Sequence, residues 1–116
     1  MTEQKISFEV AKLAKEKGFI SGWIDIFMSH YNEDGQLTNR PGEEIYESPT
    51  QSFLQKWIRE TYNLDIIIAS NLIGYAYLIY QRYPPKNFLN KNLYQKYEEA
   101  LEQGLQEALQ LINGNN

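Results

Sequence analysis

Apolar and polar residues alternate along this chain with two different periods, and each change of period marks a new element. Ile6, Val10, Leu13 and Ala14 recur at helical spacing, which predicts a first helix over Ser7 to Lys17. Ser7 caps its free amides, Lys15 and Lys17 suit the negative end of the helix dipole, and Gly18 supplies the left-handed residue that stops it. From Phe19 to Tyr31 the period drops to two. Ile24, Ile26 and Met28 fall on one side of a predicted strand, and Trp23, Asp25, Phe27 and Tyr31 on the other. Asn32-Glu33-Asp34-Gly35 is a turn, since Asx side chains close local hydrogen bonds and glycine accepts positive φ. Gln36 to Thr38 then returns as a short strand. Asn39 to Glu44, with its Pro-Gly breaker and like charges, is a connecting loop.

A second helix is predicted over Ser48 to Tyr62, with Ser48 as cap, Pro49 at the first helical position and Gln51 closing a capping box. Phe53, Leu54, Trp57, Ile58 and Thr61 make its apolar stripe, and Asn63 terminates it. Leu64 to Ser70 is too rich in β-branched residues for a helix, and with Gly74 to Gln81 it reads as a second hairpin. Pro84-Pro85 interrupts the pattern, and Lys86 to Lys91 reads as polar and irregular. A last helix begins near Leu93, with Asn92 and Gln95 as a capping box. It carries Tyr97, Ala100, Leu101, Gly104, Leu105, Ala108, Leu109 and Ile112 on one stripe and stops at Gly114.

The elements follow one another as α-β-β-α-β-β-α, which predicts an α+β domain: an antiparallel sheet of about four strands packed by three helices. At 116 residues the chain is one domain, residues 1–116, with 113–116 as a frayed tail. Composition narrows the chemistry. With no cysteine there is no disulfide, thiolate nucleophile or cysteine-ligated metal, and with one histidine no metal site or cofactor is expected. A net charge of -4 disfavours a dedicated nucleic-acid binder. The amino-terminal residues are amphipathic rather than apolar, and no apolar run reaches the roughly 20 residues of a membrane helix, so the expectation is a cytoplasmic protein without membrane contact.

Two stretches are distinctive, Tyr46-Glu47-Ser48-Pro49-Thr50-Gln51-Ser52-Phe53-Leu54-Gln55-Lys56-Trp57-Ile58-Arg59-Glu60 and Tyr97-Glu98-Glu99-Ala100-Leu101-Glu102-Gln103-Gly104-Leu105-Gln106-Glu107-Ala108-Leu109. They resemble signature blocks of a small uncharacterised family of gut bacteria and their phages or prophages. Lys96 stands where that family commonly has Ser or Thr. The resemblance implies a phage-related or mobile-element origin; it implies no activity and no site residues.

Candidate sites are few. His30, next to Tyr31 and near Asp34, is a conceivable acid-base pair, but without a nucleophile it reads as a histidine at a hairpin end, and no catalytic residue is expected. Asp25 lies among aromatics, where a carboxylate pKa rises, although a partnered edge residue explains it equally. Thr50, Gln51 and Ser52 at a helix amino end suit an anion, though capping suffices. Glu98, Glu99, Glu102 and Glu107 read as the solvated face of the last helix. The aromatic residues carry more weight. Trp23, Phe27 and Tyr31 share one strand face and Tyr75, Tyr77 and Ile79 another, while Ile66, Ile68 and Leu78 need cover elsewhere. Either helices cover both sheet faces, a symmetric partner covers one, or an aromatic face stays open for a ligand. The expectation is a non-enzymatic accessory or interaction module that binds a protein partner or a second copy through Trp23, Phe27, Tyr31, Tyr75 and Tyr77. The alternative is a nucleic-acid-binding accessory protein in which tyrosines stack on bases while Arg82, Lys86 and Lys91 neutralise phosphates.

Overall fold

The computed structural model describes residues 4–19, 30–38, 46–47, 49–89 and 92–112. Trp23, Asp25, Phe27, Ser48 and Lys91, the loop from Asn39 to Glu44 and the tail 113–116 lie outside the described residues.

Helix α1 (Phe8–Glu16) starts where the sequence predicts, with Ser7 Oγ accepting from the Val10 amide at 3.3 Å. Beyond it, Gly18 takes a φ of 92° and turns the chain so that Phe19 donates its amide to Ala14. The Phe19 ring is buried and meets Trp57 edge-on at 5.0 Å, and Trp57 meets Tyr62 at 5.5 Å. The Tyr62 hydroxyl then donates to the Lys17 carbonyl at 2.6 Å, satisfying a backbone acceptor left over at the end of α1.

A small sheet follows, with β1 (His30–Tyr31) between β2 (Leu37–Thr38) and β3 (Tyr46–Glu47), all antiparallel. Asn32 Oδ1 accepts the amides of Asp34 and Gln36, and Gly35 has a φ of 80°, so the predicted turn closes by the predicted chemistry.

Helix α2 (Gln51–Tyr62) opens two residues later than the sequence suggests, with Thr50 as its cap, accepting from the Phe53 amide at 3.3 Å. Thr50 is held in an antiparallel bridge with Lys5 of the amino-terminal segment: Ile6 donates to the Pro49 carbonyl and Gln51 to the Gln4 carbonyl. Pro49 therefore precedes the helix. Gln51 closes no capping box; its side chain reaches across to the last helix instead. Asn63, at a φ of 59°, ends α2 as predicted.

Strands β4 (Leu64–Ser70) and β5 (Tyr75–Gln81) form the predicted hairpin, closed by Asn71 Oδ1 accepting the amides of Ile73 and Gly74. The stretch read as irregular holds a third strand, β6 (Lys86–Leu89), paired antiparallel with β5. The two prolines end one strand and turn the chain, Gln81 Nε2 holds the Pro84 carbonyl at 2.9 Å, and Phe88 returns opposite Ile79. Farther along, Tyr94 exchanges both backbone hydrogen bonds with Tyr75. That exchange holds Tyr94 in an extended bridge, so helix α3 (Tyr97–Leu111) begins four residues beyond Leu93. Lys96 is its cap and makes no side-chain cap bond; Glu98 and Glu99 supply negative charge to the first turn.

The chain is α+β, and the order α-β-β-α-β-β-α holds with a short third strand added to each hairpin. The strands are shared between two antiparallel sheets, ordered β2-β1-β3 and β4-β5-β6. Helix α3 lies across the larger sheet and also touches α1 and α2, so Leu105, Ala108 and Leu109 sit at the centre of one core with Ile6, Val10, Leu54, Ile58 and Ile79. Among the described residues, no helix is long and apolar enough to cross a membrane.

Candidate interaction surface

Strand register decides which side chains share a face. Leu64 pairs with Gln81, Ile66 with Ile79 and Ile68 with Tyr77, and Ile79 pairs with Phe88 on the far side. Paired residues point the same way, so Ile66, Ile68, Tyr77 and Ile79 share the face beneath α3. The grouping expected from sequence, with Ile66 and Ile68 opposite Tyr77 and alongside Leu78, is corrected by this register. The hairpin turn sets it, and periodicity within one strand says nothing about its neighbour.

The tyrosines expected on an open face are consequently committed within the molecule. Tyr77 is 3% exposed. Its ring stacks on Tyr94 at 6.3 Å and its hydroxyl donates to Glu107 Oε1 at 2.8 Å, so α3 has taken the place of a partner. Tyr75 is half-buried, pinned by Tyr94 and set edge-on to Tyr97 at 6.1 Å. Tyr31 is also half-buried; its hydroxyl donates to the Ile6 carbonyl at 2.7 Å and its ring lies 5.5 Å from Phe8.

Burial holds the Tyr31 phenol above its usual range, and the Glu102 carboxylate adds to the shift. A raised folded-state value favours the neutral form, so its contribution to stability is complete below the ordinary tyrosine value near ~10 and is lost as pH climbs through the folded value. Urea midpoints followed from about pH 8 to about pH 11 are expected to fall more steeply for the native protein than for Tyr31→Phe. Parallel curves for the two proteins refute this assignment.

Two glutamates of the supposed solvated face of α3 turn inward. Glu102 accepts the Ser7 amide at 2.9 Å and the Gln51 amide group at 3.0 Å, and Gln51 also donates to the Glu98 carbonyl. Glu107 holds Tyr77. Helical spacing puts both glutamates beside the apolar stripe, and only the partners' positions show that they are acceptors rather than solvated charges. The α2 amino end is equally occupied by the chain's own groups: Thr50 takes the Phe53 amide, and the Gln51 amide goes to Gln4. His30 is buried in the middle strand of the small sheet, paired with Thr38 and Glu47. No group of three or more His, Asp or Glu residues able to hold a metal occurs among the described residues.

Of the basic residues of the alternative reading, Arg82 and Lys86 have partners among the described residues, and Lys91 lies outside them. Arg82 forms a two-pronged pair with Asp65 at 3.0 and 3.1 Å, and this hydrogen-bonded carboxylate raises the guanidinium pKa. Lys86 Nζ lies 4.9 Å from the centre of the Phe88 ring.

Among the described residues, no element packs on the other side of the large sheet. Ile67 pairs with Leu78 and Leu78 with Leu89, which makes one aliphatic row across all three strands. Ile67 is 47% and Leu89 69% exposed. Ala69 and Ala76 pair next to the row, and beyond them the hairpin tip carries Leu72, fully exposed, and Ile73, 80% exposed. Asn71 fixes that tip with its two side-chain acceptances, so the aliphatic pair stands on a formed turn. Sequence reasoning passed over Ile67 and Leu89. Three consecutive isoleucines, Ile66 to Ile68, were the available signal, because a strand must turn the middle one away from its neighbours. No family model, curated protein or solved structure matches the chain.

Proposed function

We propose that this protein is a non-enzymatic accessory module, of phage or mobile-element origin, that binds a protein partner through the outer face of the β4-β5-β6 sheet. The observation carrying this reading is the aliphatic row Ile67, Leu78 and Leu89. Fully burying each such side chain returns about 1.5–3 kcal/mol, and several together offset an association cost of about 4–15 kcal/mol. Large aliphatic side chains grouped on one face, with no unpaired charge among them, fit an apolar protein surface. Nucleic acid fits less well. Phosphates need available cations, whereas Arg82 is already neutralised by Asp65; of the tyrosines expected to stack, Tyr77 is covered, and the exposed ring in this region is Tyr83.

The test is cross-linking with mass spectrometry in extract of the source cells, using the native chain and an Ile67→Lys, Leu89→Lys double variant. Cross-links from residues 64–89 to a protein are expected with the native chain and are lost in the variant, whose circular dichroism is unchanged because both positions are exposed. Cross-links that persist in the folded variant refute the assignment to this face. Retention of single-stranded DNA on a filter at low salt, abolished by Arg82→Ala, transfers the proposal to nucleic acid.

A further inference from the structure

The direction of the backbone groups in the large sheet shows which of its edges can take another strand. On β5, Arg82 donates its amide to Asn63 and Gly74 accepts from Asn71, so the even-numbered residues turn their backbone groups toward β4. Tyr75 exchanges both bonds with Tyr94 on the other side, so the odd-numbered residues turn theirs toward β6. Phe88 and Lys86, paired with Ile79 and Gln81, are therefore bonded to β5, and the amides and carbonyls of Asn87 and Leu89 point off the sheet. Among the described residues no hydrogen bond reaches these four groups, and along β6 only Phe88 is even half-buried. The opposite edge differs. On β4 the outward carbonyl of Ile66 already accepts from Gln55 Nε2 at 2.7 Å, and α2 packs against that strand.

We infer that β6 receives an extended segment of the partner protein, which adds a fourth strand through the backbone groups of Asn87 and Leu89; this rests on the reading of the outer sheet face as a binding surface. Edge and face meet at Leu89. Its side chain ends the aliphatic row, so an aliphatic residue opposite it on the added strand, about 4.8 Å farther out, prolongs that row. Main-chain bonds hold the segment, and side chains at fixed positions select it. Lys86 is the one charged residue of β6, so an acidic residue opposite it, three positions from the aliphatic one, completes the match. The β6 of a second copy, Lys-Asn-Phe-Leu, has no acid to offer, which points to a foreign segment.

Selection of displayed random peptides against the full chain is expected to return segments with an aliphatic residue three positions from Asp or Glu. In the free chain the Asn87 and Leu89 amides are expected to exchange at least about tenfold faster than that of Phe88, and a selected peptide, made synthetically, is expected to slow both by at least about tenfold. Asn87→Pro removes one outward donor and sets a ring carbon in the path of the added strand while leaving every bond to β5 in place. It is expected to weaken the peptide at least about tenfold in Kd with circular dichroism unchanged, whereas Asn87→Ala, which keeps the amide, binds within about twofold of native.

A library that returns no binder, peptides that leave both amides unprotected, or equal binding by the proline and alanine variants overturns the inference. Protection that grows with the concentration of the chain alone assigns the edge to a second copy and overturns it as well. The wider reading fails separately. Cross-links to a cellular protein that persist in Asn87→Pro and vanish in the Ile67→Lys, Leu89→Lys double variant end strand addition and leave the sheet face standing; cross-links that persist in the double variant end both.

Discussion

Gly104→Leu is expected to cost at least about 3 kcal/mol of folding stability, and the chain then loses its cooperative urea transition or shows it at a much lower midpoint. A Cβ built on Gly104 meets Ile66 Cγ2 at 2.8 Å and the Tyr77 ring at 3.2 Å. Neither neighbour gives way easily. Ile66 is β-branched within a paired strand, and the nearest Tyr77 atoms lie close to its backbone, with the hydroxyl anchored on Glu107. Gly104→Ala tests the same contact at lower amplitude. Helix propensity alone favours alanine by about 1 kcal/mol, so a loss of stability on Gly104→Ala shows that close approach of α3 to the sheet outweighs propensity. A more stable Gly104→Ala protein refutes this account of the helix-sheet packing.

Leu105→Ala is expected to destabilise by about 2–5 kcal/mol, read from the same urea transition. Leu105 is completely buried on the helix that contacts α1, α2, β4 and β5. Removing its outer carbons leaves a void lined by several elements, and surrounding groups fixed by their own strands and helices collapse into it only partly. Leu111→Ala, at the exposed end of the same helix, is the control and is expected to change stability by less than about 0.5 kcal/mol. Similar losses for the two leucines refute the placement of Leu105 at the hub.

Local chemistry made much of this fold legible. Ser7, Gly18, the Asn32 to Gly35 turn and Asn63 act as their residue types dictate, because each works within three or four residues of itself. The α2 start was misplaced for the opposite reason. Ser48-Pro49 is a good local signal, but pairing with Gln4 and Ile6 keeps Thr50 extended and delays the helix to Gln51, and a contact forty-odd residues distant leaves no trace in the local pattern. The same limit hid β6, whose four residues have no alternation long enough to recognise and become a strand only because β5 lies beside them. The site followed suit. Periodicity assigned Tyr75, Tyr77 and Ile79 correctly to one face, yet which face α3 would cover was a matter of register and of Gly104. Counting aromatics drew attention to rings that fill the interior, while the open side is aliphatic.

The Glu102 carboxylate joins the amide at the start of α1 to the middle of α3, residues 95 positions apart. This bond has a consequence for synthesis. Helix α1 is synthesised well before α3, which supplies the acceptor for its leading amide and packs against it. In the nascent protein the Ser7 amide therefore lacks this acceptor until α3 has been made, although pairing with residues 49 to 51 and the Tyr62 bond can already hold the segment. A ribosome stalled before α3 emerges displays α1 and the large sheet without the helix that covers both.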